Sequence, residues 1–528
     1  MPFLKKHASH GEKADVAGSS AAASNPAAHQ KVTFIAVFLG VVASIGGFMF
    51  GYVSGQISGF FQMTDFARRF GELQTEGPEA GTYTFSAARQ GTITGLLPVG
   101  CMIGALIAGK IADSLGRRLA ISVSALWSCV GIVIEIASQN AWFQFAIGRL
   151  VTGMSIGALS VVVPMYQSES SPAIIRGVLV STYQLFITLG IWTSNMVNWG
   201  THKNLDNEGS AAWRITNALV PRFAYRAGRE EEARATIARL AGVATDDKSV
   251  NDQITQIRVK LDEEKAGADT KWYEAFTGPR MAYRTVVGVV LQAGQQLTGA
   301  NFFFYYGTTV FAATGLSDSY VTQIILGTVN VVCTIFGLWV IQKSGRRPAL
   351  MIGAAWMAVC FFIYAFVGQY SLDSEDPSRT PGAGSALIVF SCLAIAAFAI
   401  TWGPLVWAVV AELYPAKYRA PCMALATMSN WFWNFMISFF TRFITDSIHY
   451  WYGLVFAGCC VALVIFVFFF VIETKDRSLE EIDTMHLLHV NPITSSKWDG
   501  SQAPEGVKGA AHEESGHNSG AETHHDEI

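Results

Sequence analysis

Runs of about 20 mostly apolar residues recur along this chain, the length an α-helix needs to cross a hydrocarbon core. They cover roughly 33–61, 92–112, 119–138, 142–163 and 178–198, then 283–311, 320–341, 349–368, 386–411, 422–444 and 453–472. A membrane barrel would show shorter segments of alternating polarity. Helices satisfy their own backbone hydrogen bonds in lipid, so the pattern predicts an all-α membrane protein with about eleven crossings. Between 199 and 282 no such run occurs. From Arg229 to Lys265 charges alternate instead with Ile237, Leu240, Ile254, Ile257 and Leu261, which predicts short amphipathic helices on the cytoplasmic face.

Charge supplies the orientation. Lys5, Lys6, Lys13 and Lys31 precede the first run, Arg117 and Arg118 follow the second, and Arg346, Arg347, Lys417 and Arg419 follow later ones. Excess Lys and Arg stay in the cytoplasm, so all of these lie inside. The fifth run then ends outside near Asn198, yet the basic stretch Arg222 to Arg239 belongs inside. The residues between include Lys203, Asp206, Glu208 and Arg214 and cannot cross a bilayer. An even number of crossings is short of one member, the sixth.

Composition changes this picture little. Of 528 residues 51% are hydrophobic and 15% charged, with a net charge of −3 that points to no polyanionic partner. The eight cysteines lie in or beside apolar runs without metal-ligand spacing, and read as small buried hydrophobes. No nucleophile–base pair, phosphate loop or metal set is present, so neither an enzyme nor a cofactor is expected. The tail from about 484 is polar and is expected to be disordered. The chain therefore divides into a polar cytoplasmic segment (1–32), a five-span half (33–198) and a connecting segment (199–282). A six-span half (283–472) and a mostly disordered cytoplasmic tail (473–528) complete it.

The two halves repeat one another. Gly109 to Arg118 closes a span with Asp113, Gly116, Arg117 and Arg118, and Leu338 to Arg347 closes its counterpart with Gln342, Gly345, Arg346 and Arg347. Glu169 and Arg176 lie seven residues apart after a span, and so do Glu412 and Arg419. Parallel six-span repeats are the build of one large transporter class. Acids and arginines at these helix ends can pair across the cytoplasmic face and lock it shut. The expected latch is thus Asp113, Arg117, Arg118, Glu169, Arg176, Arg346, Arg347, Glu412 and Arg419.

With these motifs the chain resembles the sugar porter family of the major facilitator superfamily, and within it the fungal hexose transporters. The resemblance is carried by Asp113-x-x-Gly116-Arg117-Arg118, Gly148-Arg149, Pro164 with Tyr166, and the stretch Gln295 to Asn301. Gly403-Pro404 with Trp407, Asn430-Trp431 and Glu473-Thr474-Lys475 complete it. It implies a hexose carrier that works by alternating access.

Residues able to hold a sugar sit at mid-span. Amides offer two donors and an acceptor without charge, which matches hydroxyls, and an indole can stack on a ring face while donating one bond. Buried amides in lipid-spanning runs face a cavity or another helix. The candidates are Gln184, Gln295, Gln296, Asn301, Asn330, Asn430, Asn434 and Trp407; each taken singly also reads as an interhelical hydrogen bond. Gly299 and Gly403-Pro404 can loosen the helices beside them. By resemblance, Tyr305 is an aromatic gate on the extracellular side.

Three departures from the family stand out. Val53 occupies the position where proton-coupled members carry Asp, although Arg149 remains. Gln342 replaces the second-half Asp. Trp213-Arg214 runs within a few residues into Pro221-Arg222, where the family has a sixth span and a Pro-Glu-Ser-Pro-Arg signature. Gln342 weakens one inner latch, while Val53 and the missing sixth span favour facilitative over proton-coupled transport. A glucose sensor on a transporter scaffold, or an inactive splice or gene-model variant, is the alternative. The expected partners are a hexose and the lipid bilayer of the plasma membrane, with no nucleic acid, and the chain is expected to act as a monomer.

Overall fold

The computed structural model describes residues 34–75, 81–170, 173–205, 210–218, 273–305, 319–373, 379–475, 477 and 479–498. Helices dominate. The first half contains α1 (Phe34–Ala43), α2 (Ile45–Phe60), α3 (Thr64–Phe70), α4 (Ala87–Leu115), α5 (Arg117–Ala137), α6 (Trp142–Ser170), α7 (Ala173–Leu205) and α8 (Ala211–Ala218). The second contains α9 (Glu274–Thr277), α10 (Met281–Leu297), α11 (Ser319–Lys343), α12 (Arg346–Tyr370), α13 (Pro381–Ile400), α14 (Trp402–Leu413), α15 (Arg419–Ile448), α16 (Tyr452–Phe470) and α17 (Leu479–Leu487). Among the described residues the one sheet is a small antiparallel ribbon, Glu72–Leu73 paired with Tyr83–Thr84.

Among the described residues, nine helical stretches are long and apolar enough to cross a membrane. One of them, Arg419–Phe470, bends at His449, whose φ is 49°, and comprises α15 and α16. The surface is apolar where lipid would lie. Along α5, Leu119, Val123, Leu126, Val130 and Val133 are exposed, while Ser124, Ser128, Gly131 and Glu135 face inward. This inverts the amphipathic pattern of a water-soluble bundle. The cytoplasmic amphipathic helices expected within 229–265 lie outside the described residues, and so does everything between 219 and 272.

Two helices break where their sequence permits it. α10 stops at Leu297 and helix resumes at residue 300; between them Gly299 adopts φ +80°, a region L-residues avoid. α13 and α14 are parted at Thr401, whose φ and ψ are −120° and −82°. α1 and α2 also meet at a joint, Ser44, whose hydroxyl contacts Thr182 at 2.8 Å and accepts from the Gln167 amide at 2.8 Å.

The halves meet along the bundle axis. Thr94 donates to the Ser438 carbonyl at 3.2 Å, Trp431 to Ser160 at 3.0 Å and Trp192 to Thr328 at 3.0 Å. At the extracellular end Tyr320 donates to the Gly59 carbonyl at 2.7 Å and stacks on His202 at 4.7 Å.

The tail departs from expectation. From 479 to 498 it is folded against the bundle rather than disordered. Ile482 and Met485 are buried, and the buried Arg284 pairs with Asp483 at 2.7 Å. Arg477 donates to the Trp498 carbonyl at 2.5 Å with its guanidinium over the Trp498 ring. A few apolar residues in polar company are enough to anchor a helix when an existing surface receives them. Residues 499–528 lie outside the described ones.

Candidate functional site

A cavity lies between the halves at the level of both helix breaks. α2 and α7 line it with Phe50, Ser54, Gln184, Ile187 and Ile191; the second half lines it with Gln295, Gln296, Asn301, Phe304, Tyr305, Asn330, Phe398 and Trp407. Its water-accessible volume is about 30 Å³, room for about two waters. A larger guest has to part the walls.

Behind the wall the amides form one network. Gln295 Nε2 donates across the second helix break to the carbonyls of Gly403 at 2.8 Å and Trp402 at 3.2 Å. Asn430 Nδ2 donates to the side-chain oxygens of Gln295 at 2.8 Å and Gln292 at 2.7 Å. Gln296 Nε2 donates to Asn430 at 2.9 Å and its oxygen accepts from Asn434 at 3.1 Å. Asn301 donates to that same Gln296 oxygen. Tyr305 closes the chain by donating to Asn434 at 3.0 Å. The spacing of Gln292, Gln295 and Gln296 puts all three on one face of α10, facing Asn430 and Asn434, four apart on α15.

Some polar atoms at the cavity keep unused capacity. Trp407 Nε1, Asn330 Oδ1 and Ser54 Oγ are buried and have no hydrogen-bond partner among the described residues. Buried polar groups are normally satisfied, so each such atom is either strained or meant for a guest. The Trp407 ring meets Tyr183 edge-on at 5.6 Å. Among the described residues, no carboxylate, lysine, arginine or histidine lines the cavity. Neutral donors and acceptors beside aromatic faces suit a neutral polyol and reject an ion.

Profile comparison decides the family. The family described as "Sugar (and other) transporter" matches residues 39–486. The chain belongs to the sugar transporter family. Among curated relatives, the low-affinity glucose transporter HXT1 of Saccharomyces cerevisiae is 41% identical over 478 residues, covering 87% of this chain and 83% of that one. The high-affinity fructose transporter ght6 of Schizosaccharomyces pombe is 40% identical over 475 residues, covering 87% and 88%. Among solved structures, the proton:xylose symporter XylE bound to 6-bromo-6-deoxy-D-glucose superposes with a TM-score of 0.69 at 24% identity. It covers 85% of this chain and 98% of that chain. The fold is thus the all-helical major facilitator fold, and this sugar transporter is a multi-pass membrane protein and not an enzyme.

Within this family member, the structure brings Gln184, Gln295, Gln296, Asn301, Asn330, Tyr305 and Trp407 to the cavity wall. It sets Asn430 and Asn434 one layer behind, as supports of the glutamines. Sequence reading passed over Gln292, fully buried in the same network, although its place one turn before Gln295 and Gln296 was a usable signal.

The cytoplasmic residues separate. Arg346 pairs with Glu412 at 3.4 Å, and Thr474 donates to the other oxygen of Glu412 at 2.8 Å. Glu473 accepts from the backbone amides of Arg346 at 2.8 Å and Arg347 at 3.2 Å, capping α12 in a role the sequence reading did not give it. Arg347 donates to the Phe468 carbonyl at 2.7 Å, and Arg419 reaches the Tyr414 carbonyl at 3.3 Å. In the first half Arg117 donates to the Ala112 carbonyl at 3.2 Å, Arg118 is half-buried and Arg176 is partly buried. The side chains of Asp113 and Glu169 lie outside the described ones.

Proposed function

We propose that this chain carries a hexose, glucose foremost, across the plasma membrane by alternating access, as a monomer and without proton exchange. The observation that supports it best is the uncharged cavity between the halves, walled by amides and Trp407 and backed by the Gln292–Asn430–Asn434 network. A sugar would take its hydrogen bonds from Gln184, Gln295, Gln296, Asn301, Asn330 and Trp407, with Asn430 and Asn434 holding the glutamines in register. Tyr305 and Asn301 follow the Gly299 break, so a short segment can swing to admit the ring, which makes Tyr305 the gate. The latch residues, Asp113, Arg117, Arg118, Glu169 and Arg176 in one half and Arg346, Arg347, Glu412 and Arg419 in the other, would hold the cytoplasmic face closed. The names of the relatives, which include glucose and fructose transporters, agree with a hexose.

The absence of an acid at Val53 supports transport without a proton, because valine can neither take up nor release one. The test is uptake of labelled glucose in cells stripped of their own hexose carriers. Saturable uptake, competed by other hexoses and unaccompanied by alkalinisation of the medium, is the expected result. Protein at the cell surface with no uptake of any hexose or pentose overturns it. We also propose that the stretch between Asn198 and Arg222, which carries Lys203, Asp206, Glu208 and Arg214, is too charged to supply a sixth crossing. Inserting about 20 apolar residues after Ala218 should raise uptake per surface molecule; equal uptake with and without them sinks that reading.

A further inference from the structure

Arg149 is fully buried in α6, inside a membrane bundle, and its guanidinium donates to the Val53 carbonyl at 3.4 Å. Its Nε has no partner among the described residues. A buried guanidinium in a bilayer demands a counter-charge, and the residue beside it on α2 is a valine. Among the residues around it, Cys101 on α4 and Tyr305 past the Gly299 break interact with it electrostatically, and neither carries a charge of its own near neutral pH.

The carboxylate lies on a different helix. Glu135 of α5 is fully buried, and one of its oxygens accepts from Thr152, a turn beyond Arg149 on α6, at 2.8 Å. The helices cross closely enough for this because both contribute glycine. A Cβ on Gly148 would stand 2.6 Å from Glu135 Cγ, and one on Gly131 would strike the Thr152 backbone nitrogen at 2.5 Å. The other Glu135 oxygen has no hydrogen-bond partner among the described residues within contact distance. The Asn217 amide of α8 interacts with Glu135 and receives a 2.6 Å hydrogen bond on its oxygen from Gln56. Gly148 and Thr152, on either side of Arg149 along α6, both meet Glu135, so the two charges lie near one another across the crossing.

We propose that Glu135 is the resident counter-ion of Arg149, held beside it by Thr152 and the glycine crossing of α5 with α6. Both partners belong to the same pair of helices, so they travel together when the halves rock. The charge behind the sugar cavity then stays compensated through the cycle and no proton has to be taken up to relieve it. Glu135 is a positioning residue, and this inference rests on the reading of proton-free transport above.

The experiment is a charge cycle in the full-length chain, with glucose uptake normalised to surface abundance. Glu135→Gln and Arg149→Gln should each lower uptake at least tenfold, and the double variant should recover to within a few fold of the parent. Should the singles be lost from the surface, the same recovery is read in surface abundance and thermal stability. Adding Val53→Asp to Glu135→Gln places a new carboxylate beside the guanidinium. It should restore uptake and give it a pH dependence between 5 and 8 that differs from the parent's. A role in packing alone predicts none of that pH dependence. A Glu135→Gln variant with parental uptake, or a double variant no better than the worse single, overturns the proposal. Sugar-evoked proton uptake in the parent that vanishes in Glu135→Gln also overturns it, by making Glu135 a carrier. Proton uptake that survives in Glu135→Gln strikes the proton-free reading while leaving the charge pair standing.

Discussion

The two halves share a repeat but are packed by different means. In the first half glycine sets backbone directly on backbone: a Cβ at Gly100 or Gly104 would collide with the carbonyls of Leu150 or Met154. One at Gly153 or Gly157 would collide with those of Leu97 or Cys101. This is a reciprocal small-xxx-small crossing of α4 with α6. In the second half most glycines meet side chains instead, Gly353 the hydroxyl of Thr401, Gly294 the ends of Leu463 and Trp402, Gly368 the ring of Tyr450. That half also holds both broken helices and nearly all of the amide network. A rigid platform thus faces a half whose helices can bend and whose polar side chains can exchange partners. Alternating access needs both.

The sharpest way to break this comparison is to add one methyl group to each half. Gly104→Ala and Gly157→Ala push against backbone that cannot yield, so each should cost about 1–3 kcal/mol, and together they should abolish folded protein. The measure is the monodisperse fraction in detergent and its melting temperature. Gly294→Ala meets chiefly the terminal methyls of Leu463, which can turn, and should stay close to the parent. Equal damage in both halves means that the contrast in packing has no energetic weight.

The next largest effects separate platform from site. Trp407→Ala and Gln296→Ala should lower uptake roughly 10- to 100-fold, as expected for about 1–3 kcal/mol per buried hydrogen bond, with surface abundance unchanged. Gln292→Leu should do so indirectly, by releasing Asn430 and with it Gln295. Ser54→Ala on the platform should cost only a few fold. A platform residue that proves as sensitive as Trp407 would place the sugar chemistry on both halves equally.

Much of this was legible in the residues. That the apolar runs form helices followed from their length, because lipid forces long uninterrupted helices. Gly299 lies at a break because it alone in that turn tolerates φ +80°. The mid-span amides were visible as polar exceptions, but not their division into wall and support, since Asn430 and Gln296 look alike until helices are brought together. Glu473 and the docked tail escaped notice because a capping carboxylate or a short anchoring helix carries no periodic signal. The partner of Arg149 could not be read from Val53 alone. It depended on a crossing angle that two glycines permit.

Latch variants probe the flexible half at its cytoplasmic end. Glu412→Gln keeps the shape but removes the charge opposite Arg346, and the pair is only partly exposed. Uptake should change by a few fold, through the rate of opening rather than through sugar affinity, so Vmax should move while KM holds. A shift in KM alone would detach Glu412 from the latch and assign it to the site.

The smallest expected effect concerns the docked tail, which belongs to the second half alone. His486 of α17 is buried beside Tyr283, and a ring nitrogen lies 2.8 Å from the Ile482 carbonyl. Burial, with the neighbouring charges of Arg284 and Arg280, holds its pKa down to about 4, against the weaker opposing pull of that hydrogen bond. The docked tail thus favours neutral imidazole, while the released tail takes up a proton near the ordinary histidine value. Docking is therefore fully supported above about pH 6.5 and loses support as pH falls from there towards 4, by at most about 3 kcal/mol. Between pH 7 and pH 6 the loss is only about 0.7 kcal/mol, a threefold rise in the open fraction. Hydrogen-exchange protection factors of residues 479–498, each referred to the intrinsic rate at its own pH, should fall by about that factor over this interval. His486→Phe keeps an aromatic ring beside Tyr283 and removes the titration, so its protection factors should show no such fall. An equal fall in both proteins would take the acid sensitivity away from His486.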